Sequence, residues 1–275
     1  MFSKRMRRKE YLLMFEVVTT FHKEGYEKYG KTMVETFAKY WPSDVKLTCY
    51  YENMDTPEHN YENVKFEDFN FHCGRRYEKF KELAAPWEEK VLGPNGVDPR
   101  SHREGPVTPG SRYLFEATRF SHKYYAIDHH RKWFCKNRYL VWCDADVVAT
   151  KKIPYDFLES IVEEGKLWSR INRPNVYPEC GFMIWDDDNK WCDRYFQLMQ
   201  WLYDEGALFQ LEEWHDSYVW WAAERYVEKE AGKSVSVDLG DGSSKHPFVT
   251  GILGQYLDHL KGKRKDTGFS PERQT

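Results

Sequence analysis

Strand-like and helix-like segments alternate at the start of the chain, and this order constrains the fold more than any other feature. Residues 12–20 are apolar and rich in β-branched side chains, which predicts a buried strand. Residues 25–41 place apolar side chains at helical spacing, and residues 45–51 form a second strand-like run. Strands joined through a helix run parallel. The order therefore predicts an α/β fold whose mainly parallel central sheet is flanked by helices.

The rest of the chain extends this pattern within one domain. Later segments predict a helix, two strands and two further helices, at 112–137, 138–143, 181–185, 191–205 and 217–228. Between them, residues 86–112 are crowded with Pro and Gly, which predicts a long loop. The expected organisation is a basic tail over 1–10, a domain over 11–265 and a polar tail over 266–275.

The overall composition argues against several classes of protein. The chain has 41 Lys and Arg against 44 Asp and Glu, so a protein that coats nucleic acid by charge alone is disfavoured. No apolar run reaches the roughly 18 residues that span a bilayer. The six cysteines form no C-x-x-C pair, which is typical of thiols in a reducing compartment. Without a secretory signal, this favours a cytoplasmic protein.

Two carboxylates follow the predicted strand at 138–143. Asp144 and Asp146 are one residue apart, at the place where open α/β sheets bind ligands. Such a pair can hold a hard divalent cation, which can in turn hold a diphosphate. A second D-x-D occurs at residues 186–188, but it lies in a predicted turn. We therefore favour the first pair as the metal site.

A second motif near the end of the chain fits the same chemistry. His259, Gly262 and Lys265 form an H-x-x-G-x-x-K pattern, of which a chain of this composition would contain roughly 0.05 copies by chance. A neutral imidazole can complete the coordination of a metal. Glycine lets the backbone approach a phosphate, and lysine places a charge on a phosphate oxygen.

Together these two motifs resemble the GT-A-fold glycosyltransferases, especially the retaining family 8 group that includes glycogenin. The resemblance extends from Val17 to Lys265. It implies a Mn²⁺ or Mg²⁺ ion and a nucleotide-sugar donor. The family's Pro-Trp after the lysine is replaced here by Asp-Thr. By resemblance, Asp144, Asp146 and His259 would bind the metal, and Gly262 and Lys265 would contact the nucleotide diphosphate.

The resemblance also implies donor contacts elsewhere. In the family, such contacts come from the ends of the first two strands, from a cation in the helix before the D-x-D strand, and from an Asn-Ser-Gly segment. The chain has Glu179-Cys180-Gly181 in place of that segment. The corresponding positions are Thr19, Thr20, Glu52, Arg119, Lys123 and Gly181.

The candidate catalytic groups are carboxylates. Trp214-His215-Asp216 resembles the segment in which a family 8 aspartate meets the donor sugar, and the triplet also resembles family 6 retaining transferases. Family 6 continues with a glutamate nucleophile, whereas this chain has Ser217. We therefore expect Asp216 to be the first candidate and Glu213 the second. Glu179 could also stabilise the oxocarbenium-like sugar.

The expected function is a metal-dependent glycosyltransferase of the hexosyl type, using a UDP-sugar with retention. The acceptor stays open between a glycan, a lipid-linked sugar, a protein side chain and a modified DNA base. One alternative is a sugar nucleotidyltransferase, although residues 19–25 lack its Gly-rich phosphate loop. The other is a non-catalytic carbohydrate- or nucleic-acid-binding module, which hydrolysis of UDP-sugar would distinguish.

Overall fold

The computed structural model of the protein describes residues 15–100, 102–243 and 245–274. The strands are β1 (Phe15–His22), β2 (Lys46–Glu52), β3 (Val64–Asp68), β4 (Tyr139–Cys143), β5 (Val147–Ala149), β6 (Trp168–Arg173), β7 (Val176–Asp186), β8 (Ser236–Asp238) and β9 (Leu257–His259). The helices are α1 (Lys23–Gly25), α2 (Lys31–Tyr40), α3 (Phe69–Leu92), α4 (Ala117–Trp133), α5 (Tyr155–Ser160), α6 (Cys192–Asp204), α7 (Asp216–Ala231), α8 (Pro247–Thr250) and α9 (Arg264–Thr267).

The central sheet has seven strands in the order β3-β2-β1-β4-β7-β6-β8. The first four in this order are parallel, and β7 pairs antiparallel with β4. The predicted α/β class with a mainly parallel sheet is thereby confirmed. Because the four parallel strands point the same way, their carboxyl ends meet at one edge of the sheet.

Apolar cores cover both faces of the sheet. Successive side chains of a strand point to opposite faces, so Val17 and Val141 enter one core while Val18 and Leu140 enter the other. Helices α3, α4, α6 and α7 pack on the second of these cores. Burial on both faces explains why β4 is a continuous apolar run.

A small second sheet brings residues 257–260 next to the end of β4. Strands β5 and β9 pair antiparallel, with Val147 opposite His259. The backbone N–H of Leu260 then donates to the carbonyl of Asp146, 2.8 Å away. Two segments that are far apart in sequence are therefore held side by side at the ligand-binding edge of the main sheet.

The predicted loop over 86–112 is wrong in its first part. Helix α3 continues to Leu92 and contains Pro86. Phe80, Ala84 and Val91 lie in the core on both sides of the proline, so packing of this face outweighs the hydrogen bond that proline removes. The irregular segment begins at Gly93, and residues 109–115 form a 3₁₀ helix.

The polar tail predicted over 266–275 is packed against the domain over its described residues. The backbone and hydroxyl groups of Ser270 donate to Asp258, at 2.9 and 2.6 Å. Arg273 donates to the carbonyls of Phe248 and Leu257, at 3.1 and 2.7 Å. Polar composition therefore reflects hydrogen bonding here and does not indicate a free tail.

The predicted N-terminal features lie partly outside the described residues. The basic tail over 1–10 and the beginning of the first predicted strand, 12–14, are not described. The domain boundaries at 11 and 265 therefore stay predictions. All six cysteines lie in the described part and are free thiols. Among the described residues, no helix has the length and apolar character that crossing a bilayer requires.

Candidate active site

The D-x-D pair lies in the turn between β4 and β5. The backbone N–H of Asp144 donates to the carbonyl of Gly181, 2.8 Å away, and Val147 donates to the carbonyl of Asp144 at 2.9 Å. His259, at the end of β9, places Nε2 3.1 Å from Asp146 Oδ1 and 3.8 Å from Asp144 Oδ2. One ligand atom from each of these three side chains lies within 4.8 Å of the other two.

Each carboxylate has one oxygen held by another donor and one facing His259. The indole N–H of Trp142 donates to Asp144 Oδ1 at 2.6 Å, and Lys265 Nζ lies 2.9 Å from Asp146 Oδ2. The oxygens that face the imidazole are the opposite ones, Asp144 Oδ2 and Asp146 Oδ1. Donors in the outer shell of this kind orient metal ligands.

The donor set fits a hard divalent cation. Two carboxylates and one imidazole, whose ligand atoms lie within 4.8 Å of one another, are a donor set that suits Mn²⁺ or Mg²⁺. Burial would raise the pKa of Asp146, but His259 and Lys265 outweigh it and hold that pKa well below its usual value. Burial would lower the pKa of His259, but Asp146 outweighs it and raises that pKa. Asp146 is therefore ionised at neutral pH, and its charge favours the protonated form of the His259 imidazole.

Lys123 joins the D-x-D pair to the predicted catalytic aspartate. Its ammonium group lies 3.0 Å from Asp144 Oδ1 and 2.6 Å from Asp216 Oδ2, and it donates to the carbonyl of Cys180 at 2.9 Å. An ammonium group has three protons, and these partners use all of them. Burial would lower the pKa of Lys123, but the two carboxylates raise it well above its usual value.

Asp216 is the first residue of α7 and accepts the backbone N–H of Ser217 at 2.8 Å. Burial would raise its pKa, but Lys123 outweighs this and lowers it to about 2. Glu213 has different partners, His215 Nε2 at 2.9 Å and Arg100 at 3.4 Å. Of these two carboxylates, Asp216 is the one joined to the metal-ligand group.

Glu179 faces the opposite side of His259. Both its oxygens lie 3.1 Å from Lys261 Nζ, Arg173 lies at 3.2 Å, and His259 Nδ1 is 3.8 Å from Oε1. Burial would raise the pKa of Glu179, but Lys261, His259 and Arg173 outweigh it and lower that pKa. Gly181 lies beside the same imidazole, where a Cβ would be 2.7 Å from Cε1 of His259.

The predicted diphosphate-binding turn follows β9. Gly262 has a positive φ of 62°, a conformation that glycine adopts without strain, and its carbonyl accepts the N–H of Lys265 at 3.2 Å. The ammonium group of Lys265 lies 4.3 Å from the centre of the Tyr29 ring. This turn therefore brings the lysine back beside Asp146.

Of the remaining predicted donor contacts, Glu52 lines a cavity, whereas Thr19 is buried inside the sheet. Oε2 of Glu52 lies 3.2 Å from Nε2 of His122, and both residues line a cavity of about 600 Å³. Thr19 is fully buried, and Thr20 donates to the carbonyl of Tyr50. Strand β1 extends to His22, and it is His22 that lines the cavity. The predicted contact of Thr19 with the donor is wrong, because the strand continues to His22 and Thr19 is fully buried within it.

Arg119 stays at the rim. Its side chain is 66% exposed and pairs with Glu116 at 2.8 Å. Burial raises the pKa of Tyr29, and the charges that modify this pKa are Lys265, Asp146, Asp144 and Arg119. Arg119 therefore acts on the same tyrosine as the D-x-D pair does. The structure brings Lys123 into contact with the D-x-D pair and leaves Arg119 toward solvent.

Sequence reasoning missed four residues that shape the site: His22, Trp142, Arg173 and Lys261. A signal existed for two of them. Trp142 precedes Asp144 by two residues at the end of a strand, and Lys261 follows His259 by two. Alternation in extended chain places such pairs on one side. Arg173 reaches Glu179 across a β6–β7 pairing with shifted register, which spacing does not reveal.

No protein-family model matches the chain, and no curated protein matches it. Solved structures with a similar fold include mouse xyloside xylosyltransferase 1, with 8% identity over 82% of this chain and 85% of that chain, at a TM-score of 0.46. The galactosyltransferase LgtC, in complex with donor and acceptor sugar analogs, has 10% identity over 82% of this chain and 73% of its own, at a TM-score of 0.43.

The glycosyltransferase GlyE of Streptococcus pneumoniae is also similar, with 11% identity over 83% of this chain and a TM-score of 0.40. The chain spans only 45% of the length of GlyE. These three structures are glycosyltransferases. The likeness is distant at these values, and the function is inferred from the geometry of the site.

Proposed function

We propose that this protein is a metal-dependent glycosyltransferase that moves a sugar from a nucleotide-sugar donor to an acceptor. One observation carries the proposal: Asp144, Asp146 and His259 bring their ligand atoms within 4.8 Å of one another at the carboxyl edge of the sheet. These three residues would hold Mn²⁺ or Mg²⁺. Such a cation, when bound, neutralises the charge that develops on a departing diphosphate.

The chain's own cations act on the same leaving group. Lys265 lies beside Asp146 and can turn its ammonium group to a phosphate oxygen. Gly262 carries no side chain, so the backbone of its turn can approach the diphosphate closely. Arg119, at the rim, is long enough to add a further positive charge. These groups stabilise the transition state in proportion to the charge that the diphosphate gains.

A carboxylate is proposed to act on the sugar. Asp216 is ionised at neutral pH because Lys123 lowers its pKa to about 2. A fixed negative charge beside the anomeric carbon stabilises the oxocarbenium-like transition state. We assign retention of configuration to this arrangement, with Asp216 as the group that faces the sugar. Glu179 is proposed to bind sugar hydroxyls, and Glu213 stays the second candidate for the catalytic carboxylate.

The base and ribose are proposed to occupy the cavity that Glu52 and His122 line. It opens beyond the ends of β1 and β2, and its volume of about 600 Å³ can accommodate a nucleoside. Both residues offer hydrogen-bonding groups, as does Asn53 in the same lining. We propose UDP as the nucleotide. The free cysteines support a reducing, cytoplasmic location as part of this proposal.

Thermal unfolding tests the donor site. The protein is heated with UDP, GDP or CDP, each with and without Mn²⁺. A ligand that binds only the native state raises the unfolding temperature by mass action. We expect one nucleotide, UDP, to do so only when Mn²⁺ is present. Asp146→Asn and His259→Ala should abolish the shift.

Asp188→Asn is the matched control, because Asp188 ends the other D-x-D and is exposed. It should behave as the unchanged protein does. A shift that survives in both Asp146→Asn and His259→Ala would contradict the proposal. Turnover of the UDP-sugar then separates a transferase from a binding module, and the anomeric proton of the product, observed by NMR, reports retention or inversion.

A further inference from the structure

Aromatic side chains surround His215 next to the candidate active site. We call the following set the aromatic wall: Tyr113, Phe120, Tyr177, Tyr218 and Trp221. The ring of Tyr177 lies 5.8 Å from that of His215, 4.7 Å from Tyr218 and 5.2 Å from Trp221, measured between ring centres. Tyr113 is 47% exposed, and Phe120, Tyr177 and Trp221 are half-buried. The wall therefore presents ring surface to solvent.

The wall borders the charged groups proposed to act on the sugar. Phe120 precedes Lys123 by three residues on α4, so both lie on one side of the helix. Tyr177 precedes Glu179 by two residues on β7, and Arg173 donates to the carbonyl of Tyr177 at 2.8 Å and to the carboxylate of Glu179 at 3.2 Å. The wall is thus continuous with the carboxylates and the buried ammonium group of the site.

We propose that the aromatic wall binds the acceptor and that this acceptor is a carbohydrate. The inference rests on the proposed function and adds to it the class of the second substrate. A sugar ring has one face of C–H groups, which packs on an aromatic ring, and a rim of hydroxyl groups, which need polar partners. The wall offers both kinds of contact within one small surface.

Polar partners surround the wall on several sides. Glu213 is held by His215 and Arg100 and keeps oxygen lone pairs to accept from hydroxyls. The side chain of Lys261 is 57% exposed and lies beside Glu179. Burial raises the pKa of Tyr177 to about 12, with a further contribution from Glu213, so its hydroxyl keeps its proton and can donate at neutral pH.

The charge around the wall disfavours the other acceptors. Glu179, Glu213 and Asp216 lie along it, and the exposed Glu212 adds a fourth carboxylate. The cations beside the wall, Lys123, Arg173 and Lys261, are already paired with these carboxylates, so they leave little positive charge for the phosphates of a nucleic acid. A lipid chain or an apolar peptide would cover the exposed Glu212 and Lys261 without offering them polar partners. A neutral ligand with many hydroxyls satisfies both the rings and the carboxylates.

Saturation-transfer NMR on the whole chain, with Mn²⁺ and UDP present, tests the inference. The probes are methyl α-D-glucopyranoside, methyl β-D-galactopyranoside and methyl β-D-xylopyranoside. We expect saturation of the C–H protons on one ring face of at least one probe. Tyr177→Ala and Trp221→Ala should each weaken that binding roughly tenfold, because each removes a stacking surface. Tyr177→Phe, which keeps the ring, should retain most of it.

Trp201→Ala is the matched control, since Trp201 is 51% exposed on α6 and is not part of the wall. It should leave both the probe signal and the nucleotide-dependent thermal shift unchanged. If UDP and Mn²⁺ stabilise the protein and no glycoside gives a signal, this inference is overturned while the proposed function stands. If no nucleotide stabilises the protein, the proposed function fails. Binding of the glycosides that is equal in Tyr177→Ala, Trp221→Ala and the unchanged chain also overturns the inference.

Discussion

The backbone of Gly181 lies against the imidazole of His259, so closely that a Cβ at position 181 would be 2.7 Å from Cε1 and 2.8 Å from Nδ1 of that ring. His259 is itself 2% exposed, and its Nε2 lies 3.1 Å from Asp146 Oδ1. The glycine thus defines where the imidazole can sit relative to the two aspartates.

Gly181→Ala should weaken the proposed metal site. The new methyl group must displace the imidazole, and we expect Mn²⁺ affinity to fall roughly tenfold or more, as it does when orienting contacts of a metal ligand are lost. Titration of the nucleotide-dependent thermal shift with Mn²⁺ measures the change. Gly110→Ala is the control, because a Cβ there has open space. Unchanged Mn²⁺ dependence in Gly181→Ala would show that His259 does not bind the metal.

Trp142→Phe should also reduce Mn²⁺ affinity. It keeps most of the buried ring but removes the N–H that donates to Asp144 Oδ1 at 2.6 Å. Loss of an orienting donor costs about 10- to 100-fold in metal affinity. Trp185→Phe is the comparison, since Trp185 is equally buried and its indole N–H has no partner among the described residues. Equal Mn²⁺ affinity in the two variants would remove Trp142 from the site.

Lys123→Met should destabilise the fold. It leaves the buried Asp216 and the neighbouring Asp144 without the cation that pairs with them, which costs about 3–5 kcal/mol in the free energy of unfolding. Adding Asp216→Asn should restore part of that loss, because the double variant buries one charge fewer. Urea unfolding measures both changes. Lys81→Met, which breaks an exposed pair with Glu78, should cost about 1 kcal/mol or less.

The result that would contradict this role for Lys123 is a double variant less stable than Lys123→Met alone. In that case the aspartate would be stabilised by groups other than the lysine.

His129 should make stability depend on pH below neutrality. Burial, together with the nearby His72 and His130, lowers the pKa of His129 from 6.5 to about 4. The unfolded chain therefore binds a proton near pH 6.5 while the folded chain does not. Stability from this group is complete above about pH 6.5 and is lost as the pH falls toward 4. The measurement is the urea midpoint across this range.

His129→Gln should flatten that pH dependence. The substitution also replaces the hydrogen-bond partner of the Tyr50 hydroxyl, which lies 3.1 Å from His129 Nδ1. The comparison is therefore made between the slopes of stability against pH and not between absolute stabilities. His102→Gln, at an exposed position, should keep the slope of the unchanged chain. Parallel curves for His129→Gln and the unchanged chain would refute the assignment.

The elements that could be predicted from sequence include those with a clear apolar pattern. Strand β4 was expected at 138–143 and occurs at Tyr139–Cys143, and α6 was expected at 191–205 and occurs at Cys192–Asp204. Their apolar patterns are set by the core that they enter. Helix α3 was not predicted, because Pro86 interrupts a pattern that only tertiary packing continues.

The short strands could not be predicted, because three residues contain too little periodicity. Strand β9 exists because β5 offers it hydrogen bonds, and that pairing is a tertiary event. The candidate metal ligands could be predicted without knowledge of this pairing, because the D-x-D and H-x-x-G-x-x-K motifs are each local in the sequence. Lys123 and Lys265, which pair with the two aspartates, were also predicted as site residues. The contacts of Arg173 and Lys261 with Glu179 were not, because they depend on how separate strands approach one another.

The pairing of β5 with β9 determines when the site can form during synthesis of the chain. Asp144 and Asp146 leave the ribosome early, and their sheet can form around them while His259 is still unmade. The imidazole reaches the aspartates only when the segment at residues 257–259 pairs with β5. Closing that long loop carries the largest entropic cost in the assembly of the site. Metal binding, as proposed, would therefore report that residues 257–259 have been synthesised and have paired with β5.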